Sequence, residues 1–126
     1  MPKVKLGAKP KTFKPFPVKF EMPDGSEGVI EAKYKYRTRK EYADFVTEHS
    51  KIADATDDER SFMQRMVDGI IAGNVGFLVG ALEGWNVEER ELNEENLLQL
   101  ADEIPAAAQA LVAGYGEACL QGRLGN

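Results

Sequence analysis

At Thr38 the spacing of apolar residues changes from two to between three and four, and this change decides what the chain can become. Before it, Phe16, Val18, Phe20 and Met22 alternate with Pro17, Lys19 and Glu21, and Ile30, Ala32, Tyr34 and Tyr36 alternate with Glu31, Lys33, Lys35 and Arg37. Alternation puts one face of a strand toward a core and the other toward water. Pro23-Asp24-Gly25-Ser26 separates the two runs with turn chemistry, proline fixing φ and glycine accepting a positive one. An antiparallel β-hairpin is predicted. A lone hairpin is marginally stable, so its apolar face must rest on helices or on another subunit.

From Thr38 onward the spacing is helical. Thr38 and Glu41 form a Thr-x-x-Glu capping box, with Tyr42, Phe45 and Val46 following at helical intervals and His49 near the expected helix end. A second helix is expected to begin near Thr56-Asp57-Asp58-Glu59, carrying Phe62, Met63, Met66, Val67, Ile70 and Ile71 as one stripe. After Gly73-Asn74 a third segment places Phe77, Leu78, Ala81, Leu82 and Trp85 at the same spacing. Gly76, Gly80 and Gly84 are four apart and would line one helix face. The glycines leave two readings open: helix breakers, or a close helix–helix approach that offsets about 1 kcal/mol per glycine. Asn93 caps a short acidic helix with Leu97, Leu100 and Ala101 inward. Pro105 opens a last one, with Ala108, Leu111, Val112, Tyr115 and Cys119 on its stripe and Gly122 as its stop. The expected fold is α+β and mainly helical: an N-terminal antiparallel β-hairpin followed by four to five α-helices. Residues 1–15 form a flexible basic arm rich in lysine and proline, and residues 16–126 a single domain.

Composition removes many functions. One cysteine and one histidine among 126 residues leave no disulfide framework and no His-x-x-x-His metal site. The longest uncharged apolar run, residues 69–82, falls short of the ~20 residues that span a bilayer. No charged-then-apolar leader opens the sequence, so export through a signal peptide is not expected. No phosphate loop, nucleophile elbow or EF-type spacing is present, and the acids at Asp57-Asp58 and Glu88-Glu89 read as a helix start and a solvated face. No catalytic residue, metal or cofactor is expected.

Charge is divided unevenly. Residues 1–40 hold 11 Lys and Arg against 4 Asp and Glu, whereas residues 41–126 hold 5 against 17. The basic part, with Tyr34 and Tyr36 between Lys35, Arg37, Arg39 and Lys40, raises the alternative of a small nucleic-acid-binding module. Alternation weighs against it, because tyrosines and bases point to opposite faces, and the acidic remainder repels phosphate. What remains is a protein whose work is contact. The apolar stripe Phe62, Met63, Met66, Ile70, Phe77, Leu78 and Leu82 is the expected partner-binding surface.

Specific runs point to a family. Lys9-Pro10-Lys11-Thr12-Phe13, Met22-Pro23-Asp24-Gly25 and Tyr34-Lys35-Tyr36-Arg37-Thr38-Arg39-Lys40-Glu41 stand in the first third. Gly84-Trp85-Asn86-Val87, Asn93-Glu94-Glu95-Asn96-Leu97, Ile104-Pro105-Ala106-Ala107, Tyr115 and Gly125-Asn126 follow in order in the last. In this series, which spans most of its length, the chain resembles the tail assembly chaperones of bacteriophages and prophages, and residues 51–75 depart from the pattern. The resemblance implies a non-enzymatic role: coating the aggregation-prone tape measure protein, keeping it soluble and helping to recruit tail tube subunits. It also implies work in the host bacterial cytoplasm, absence from the mature virion, self-association and, in many members, a frameshifted longer form. It carries no catalytic residues. Gly84, Trp85, Pro105 and Tyr115 are expected to be structural.

Overall fold

A computed structural model of the chain describes residues 4–7, 9–49 and 61–122. A hairpin of β1 (Phe16–Glu21) and β2 (Glu27–Tyr34) is followed by α1 (Arg39–His49), α2 (Phe62–Ala81), β3 (Leu82–Gly84), α3 (Glu94–Glu103) and α4 (Pro105–Gln121). The architecture is α+β and mainly helical, as the two periods require. The hairpin register runs from Phe16 opposite Ala32 to Glu21 opposite Glu27. Its turn is closed by Gly25 at φ 87° and by the Asp24 carboxylate, which accepts from the Ser26 amide at 2.9 Å.

The sheet has a third strand that helical spacing hides. Leu82 follows Phe77, Leu78 and Ala81 at intervals a helix would use, yet the chain leaves the helix there. β3 pairs antiparallel with β2, Gly84 opposite Lys33 and Tyr34 opposite Leu82. The open edge of β2 supplies the partners that end α2. On the opposite edge, Lys11, Thr12 and Phe13, read from the sequence as arm, bond to the end of β2. The Phe13 amide donates to the Tyr34 carbonyl at 2.9 Å and the Tyr36 amide to the Lys11 carbonyl at 3.0 Å.

The capping box at Thr38 forms in both directions: the Thr38 amide donates to the Glu41 carboxylate and the Glu41 amide to the Thr38 hydroxyl. Glycine breakers at 73–74 do not act. α2 runs unbroken through Gly73-Asn74, because Ile71 packs on the core and Val75 lies within it on the following turn. Close approach is the role of Gly80, where a Cβ would stand 2.5 Å from the Phe45 ring. Gly80→Ala is therefore expected to separate α1 from α2 and to cost about 1–3 kcal/mol, measured by denaturant unfolding. The acids Asp57-Asp58 lie outside the described residues. The cap of α2 that the structure shows is Ser61, paired reciprocally with Gln64.

α4 lies across the sheet and brings Tyr115 to the centre of the core. Its fully buried ring meets Tyr34 at 5.2 Å, Tyr42 at 5.7 Å, Phe45 at 5.8 Å and Phe77 at 5.9 Å between centroids. The Tyr115 hydroxyl donates to the Lys35 carbonyl and accepts from Arg37, whose guanidinium also donates to the Gly80 carbonyl at 2.7 Å and stacks 4.1 Å from the Phe45 centroid. Tyr34, also fully buried, donates to the Leu111 carbonyl at 2.6 Å.

Burial pushes both phenols well above the ordinary tyrosine range, with Glu117 adding to the effect at Tyr34. A folded-state pKa raised above the unfolded one gives stability that is complete below pH ~10 and is lost as pH rises beyond it. Tyr34 and Tyr115 are expected to withhold their phenolate absorbance until the fold opens. An alkaline titration followed at 295 nm, with circular dichroism in parallel, checks that the two changes coincide.

Candidate partner-binding face

One helix carries the stripe, and it meets two fates. Met63, Ile70 and Phe77 are seven residues apart, and Val67 and Leu78 eleven, so in α2 they share one side. In the last two turns that side belongs to the core, where Val75, Phe77, Leu78 and Ala81 are buried. In the first three turns it faces water: Phe62 is 71% exposed, Met63 58% and Ile70 56%, with Met66 and Val67 also exposed. Five large apolar side chains exposed together on successive turns of one helix point to an interaction surface, as scattered single ones would not.

The sequence expectation for this surface therefore divides. Phe62, Met63, Met66 and Ile70 form one exposed patch. Phe77, Leu78 and Leu82 do not belong to it, because their apolar surface is already buried against the protein's own sheet and helices. Val67 takes their place. Its signal was present in the spacing, four residues after Met63 and three before Ile70. Met63 and Met66 give the patch unbranched, polarisable side chains that adapt to irregular surfaces. Arg65 and Asp68 are the only charged residues between Phe62 and Ala81.

The four structural positions lie elsewhere. Gly84 pairs in β3, Pro105 begins α4 at its first turn, and Tyr115 centres the core. Trp85 is half-buried and its indole N–H donates to the Arg90 carbonyl at 3.0 Å, folding residues 85–90 into a compact loop. Glu89 in that loop holds φ at 59°, a left-handed conformation uncommon for a side-chain-bearing residue. Beside the loop is a cleft of about 190 Å³ with Trp85, Val87, Leu100 and Ile104 as its apolar lining and Arg90, Asn96, Gln99 and Glu103 as its polar one.

Among the described residues no group of three or more His, Cys, Asp or Glu stands close enough to hold a metal ion. Cys119 is buried, and burial raises its thiol above the ordinary range, away from the reactive thiolate. The His49 ring stacks on Phe45 at 4.3 Å with Nδ1 2.9 Å from the Phe45 carbonyl, an end-of-helix contact. Tyr34 is enclosed and offers no ring face to a nucleic-acid base.

A family model described as phage tail assembly chaperone matches residues 1–126. The chain belongs to the phage tail assembly chaperone family. The match takes in the basic arm, the sheet, the exposed turns of α2 and the Trp85 cleft, so membership extends through residues 51–75, where the sequence resemblance is weakest. No curated protein and no solved structure matches the chain. Membership makes a role in tail assembly during infection the setting in which the exposed face of a family member has to be understood. No helix among the described residues is long and apolar enough to cross a membrane.

Proposed function

We propose that this family member binds the tape measure protein non-covalently, keeps it soluble and helps to bring tail tube subunits to it. In this reading it acts in the host bacterial cytoplasm, self-associates along its client, is not an enzyme and leaves before the virion is complete. The observation that carries the reading is the patch of Phe62, Met63, Met66, Val67 and Ile70, exposed on a helix whose continuation is anchored in the core. A client that aggregates through apolar segments needs a surface of this kind, joined to a folded body and kept soluble by charge elsewhere. Residues 41–126 supply that charge, 17 acids against 5 bases.

Co-expression with an apolar segment of a tape measure protein from the same phage or prophage tests the claim. The expected result is soluble tape measure segment co-eluting with the protein. A segment that stays insoluble, with no complex, overturns the reading.

A further inference from the structure

We infer that the basic N-terminal arm of one copy docks its apolar residues in the Trp85 cleft of a second copy, linking the protein head to tail. The inference rests on the self-association in the chaperone reading and names the contact behind it; it shares no residue with the exposed face of α2, so its failure leaves client binding, tested by co-expression, standing.

Two features that nothing else in the fold uses are complementary. The first is the arm. Lys3-Val4-Lys5-Leu6 alternates cation and aliphatic side chain, and residues 1–15 hold five lysines and no acid. Val4 is 90% exposed and Leu6 91%, although aliphatic side chains this free of contact are costly to leave in water. In an extended segment Val4 and Leu6 point to one side and the lysines to the other.

The second feature is the cleft. Its lining of Trp85, Val87, Leu100 and Ile104 has room for an aliphatic side chain, and Glu103 stands in its wall. Residues 82–103, which build it, carry eight acids against the single cation Arg90. The loop that supplies Val87 and Arg90 also carries Glu88, Glu89 and Glu91, all exposed. An apolar floor within an acidic surround fits a segment whose aliphatic anchors are flanked by lysines. Their stems lie along apolar surface while the ammonium groups reach carboxylates.

Topology directs the contact to another copy. The arm leaves the body on the β1 side of β2, pinned where Thr12 bridges Lys35 and where Lys9 stands 3.6 Å from Glu41. The cleft lies beyond β3, on the other edge of β2, where the Asn86 side chain accepts from the Glu31 amide. Arm and cleft are different surfaces on opposite edges, so the contact is heterologous and can repeat from copy to copy.

The test uses full-length protein in three forms: wild type, an arm variant with Val4→Ser and Leu6→Ser, and a cleft variant with Gln99→Lys and Glu103→Lys. All four substituted positions are exposed, so folding is unaffected. Sedimentation at low salt is expected to show wild-type mass rising with concentration above the 13.9 kDa of one chain. The association should weaken at least tenfold as salt is raised, since the attraction is screened. Each variant alone should remain a single chain, whereas an equimolar mixture should form pairs and stop there, one intact arm meeting one intact cleft. Trp85, the only tryptophan, reports occupancy of the cleft through its emission. Wild-type protein that stays monomeric, variants that associate as wild type does, or a mixture that does not pair overturns the inference. So does an emission change in the arm variant at concentrations where wild type is monomeric, which would place the arm in its own cleft.

Discussion

Met66→Asp combined with Ile70→Asp is expected to abolish recovery of soluble tape measure protein while leaving the fold intact. Both side chains are exposed in the free protein, so exchanging them for carboxylates removes almost no internal contact, and unfolding free energy should change by less than ~0.5 kcal/mol for each. The effect falls on the complex. There the carboxylates would be taken out of water against apolar client surface, at a cost of about 3 kcal/mol or more, over 100-fold in affinity. The pair of measurements matters more than either alone. Soluble, cooperatively folded variant protein that fails to hold its client locates binding on the first turns of α2. A variant that retains the client at wild-type level removes that face from the proposal. Phe77→Asp is the contrast: it places a charge in the core and is expected to unfold the chain.

The second large effect is expected at Arg37. Replacement by alanine should destabilise the fold by about 2–4 kcal/mol, roughly a 10 °C fall in melting temperature for a chain of this size. One guanidinium joins three elements. It donates to the Gly80 carbonyl near the end of α2, donates to the Tyr115 hydroxyl of α4, and covers the Phe45 ring of α1. A cation among the unpaired carbonyls of a helix C-terminus is favourable, and its contact with an aromatic face adds to this. Alanine removes the donors and leaves two acceptors with less than they require. Arg37→Lys should recover only part of the loss: a single nitrogen, Nη1, makes both hydrogen bonds and an ammonium can stand in for it, but an ammonium on a flexible stem lacks the planar group that lies over the Phe45 ring. Differential scanning calorimetry of the two variants checks the order. A lysine variant as stable as wild type would mean that planarity contributes nothing, and a loss equal to that of alanine would mean that the charge alone recovers nothing.

How much of this was legible before the structure depends on whether a residue's fate is local. The hairpin was legible because alternation and the Pro23-Asp24-Gly25-Ser26 turn are written in adjacent residues, and Thr38 with Glu41 announced α1 for the same reason. Pro105 marked the start of α4. What the sequence could not contain was the length of α2 relative to the body it packs on. Met63, Ile70 and Phe77 occupy the same helical position and look alike in a spacing pattern. Only the position of α4 and the sheet decides that Phe77 is covered while Met63 and Ile70 are not. β3 was hidden for a related reason: three residues are too few to display a period, and Leu82 satisfied the helical one. Arg37 looked like one more base in a charged run, because its partners, Gly80 and Tyr115, lie 43 and 78 residues away in the chain.

The two halves of α2 are also held by different forces. From Val75 onward the helix is fixed by burial, whereas the turns before Ile71 start at the Ser61–Gln64 cap and bury no apolar side chain. Gly69 in those turns and Gly73 just beyond them lie over open space, where a methyl group would meet nothing. Each gives the unfolded backbone more freedom to lose, about 1 kcal/mol relative to alanine. Any partner that docks on those turns must supply that ordering free energy as well as its own contacts. Affinity at this face is thereby adjustable from positions that touch no one: alanine at 69 or 73 would tighten it by stiffening the helix in advance, and loss of the Ser61 cap would loosen it.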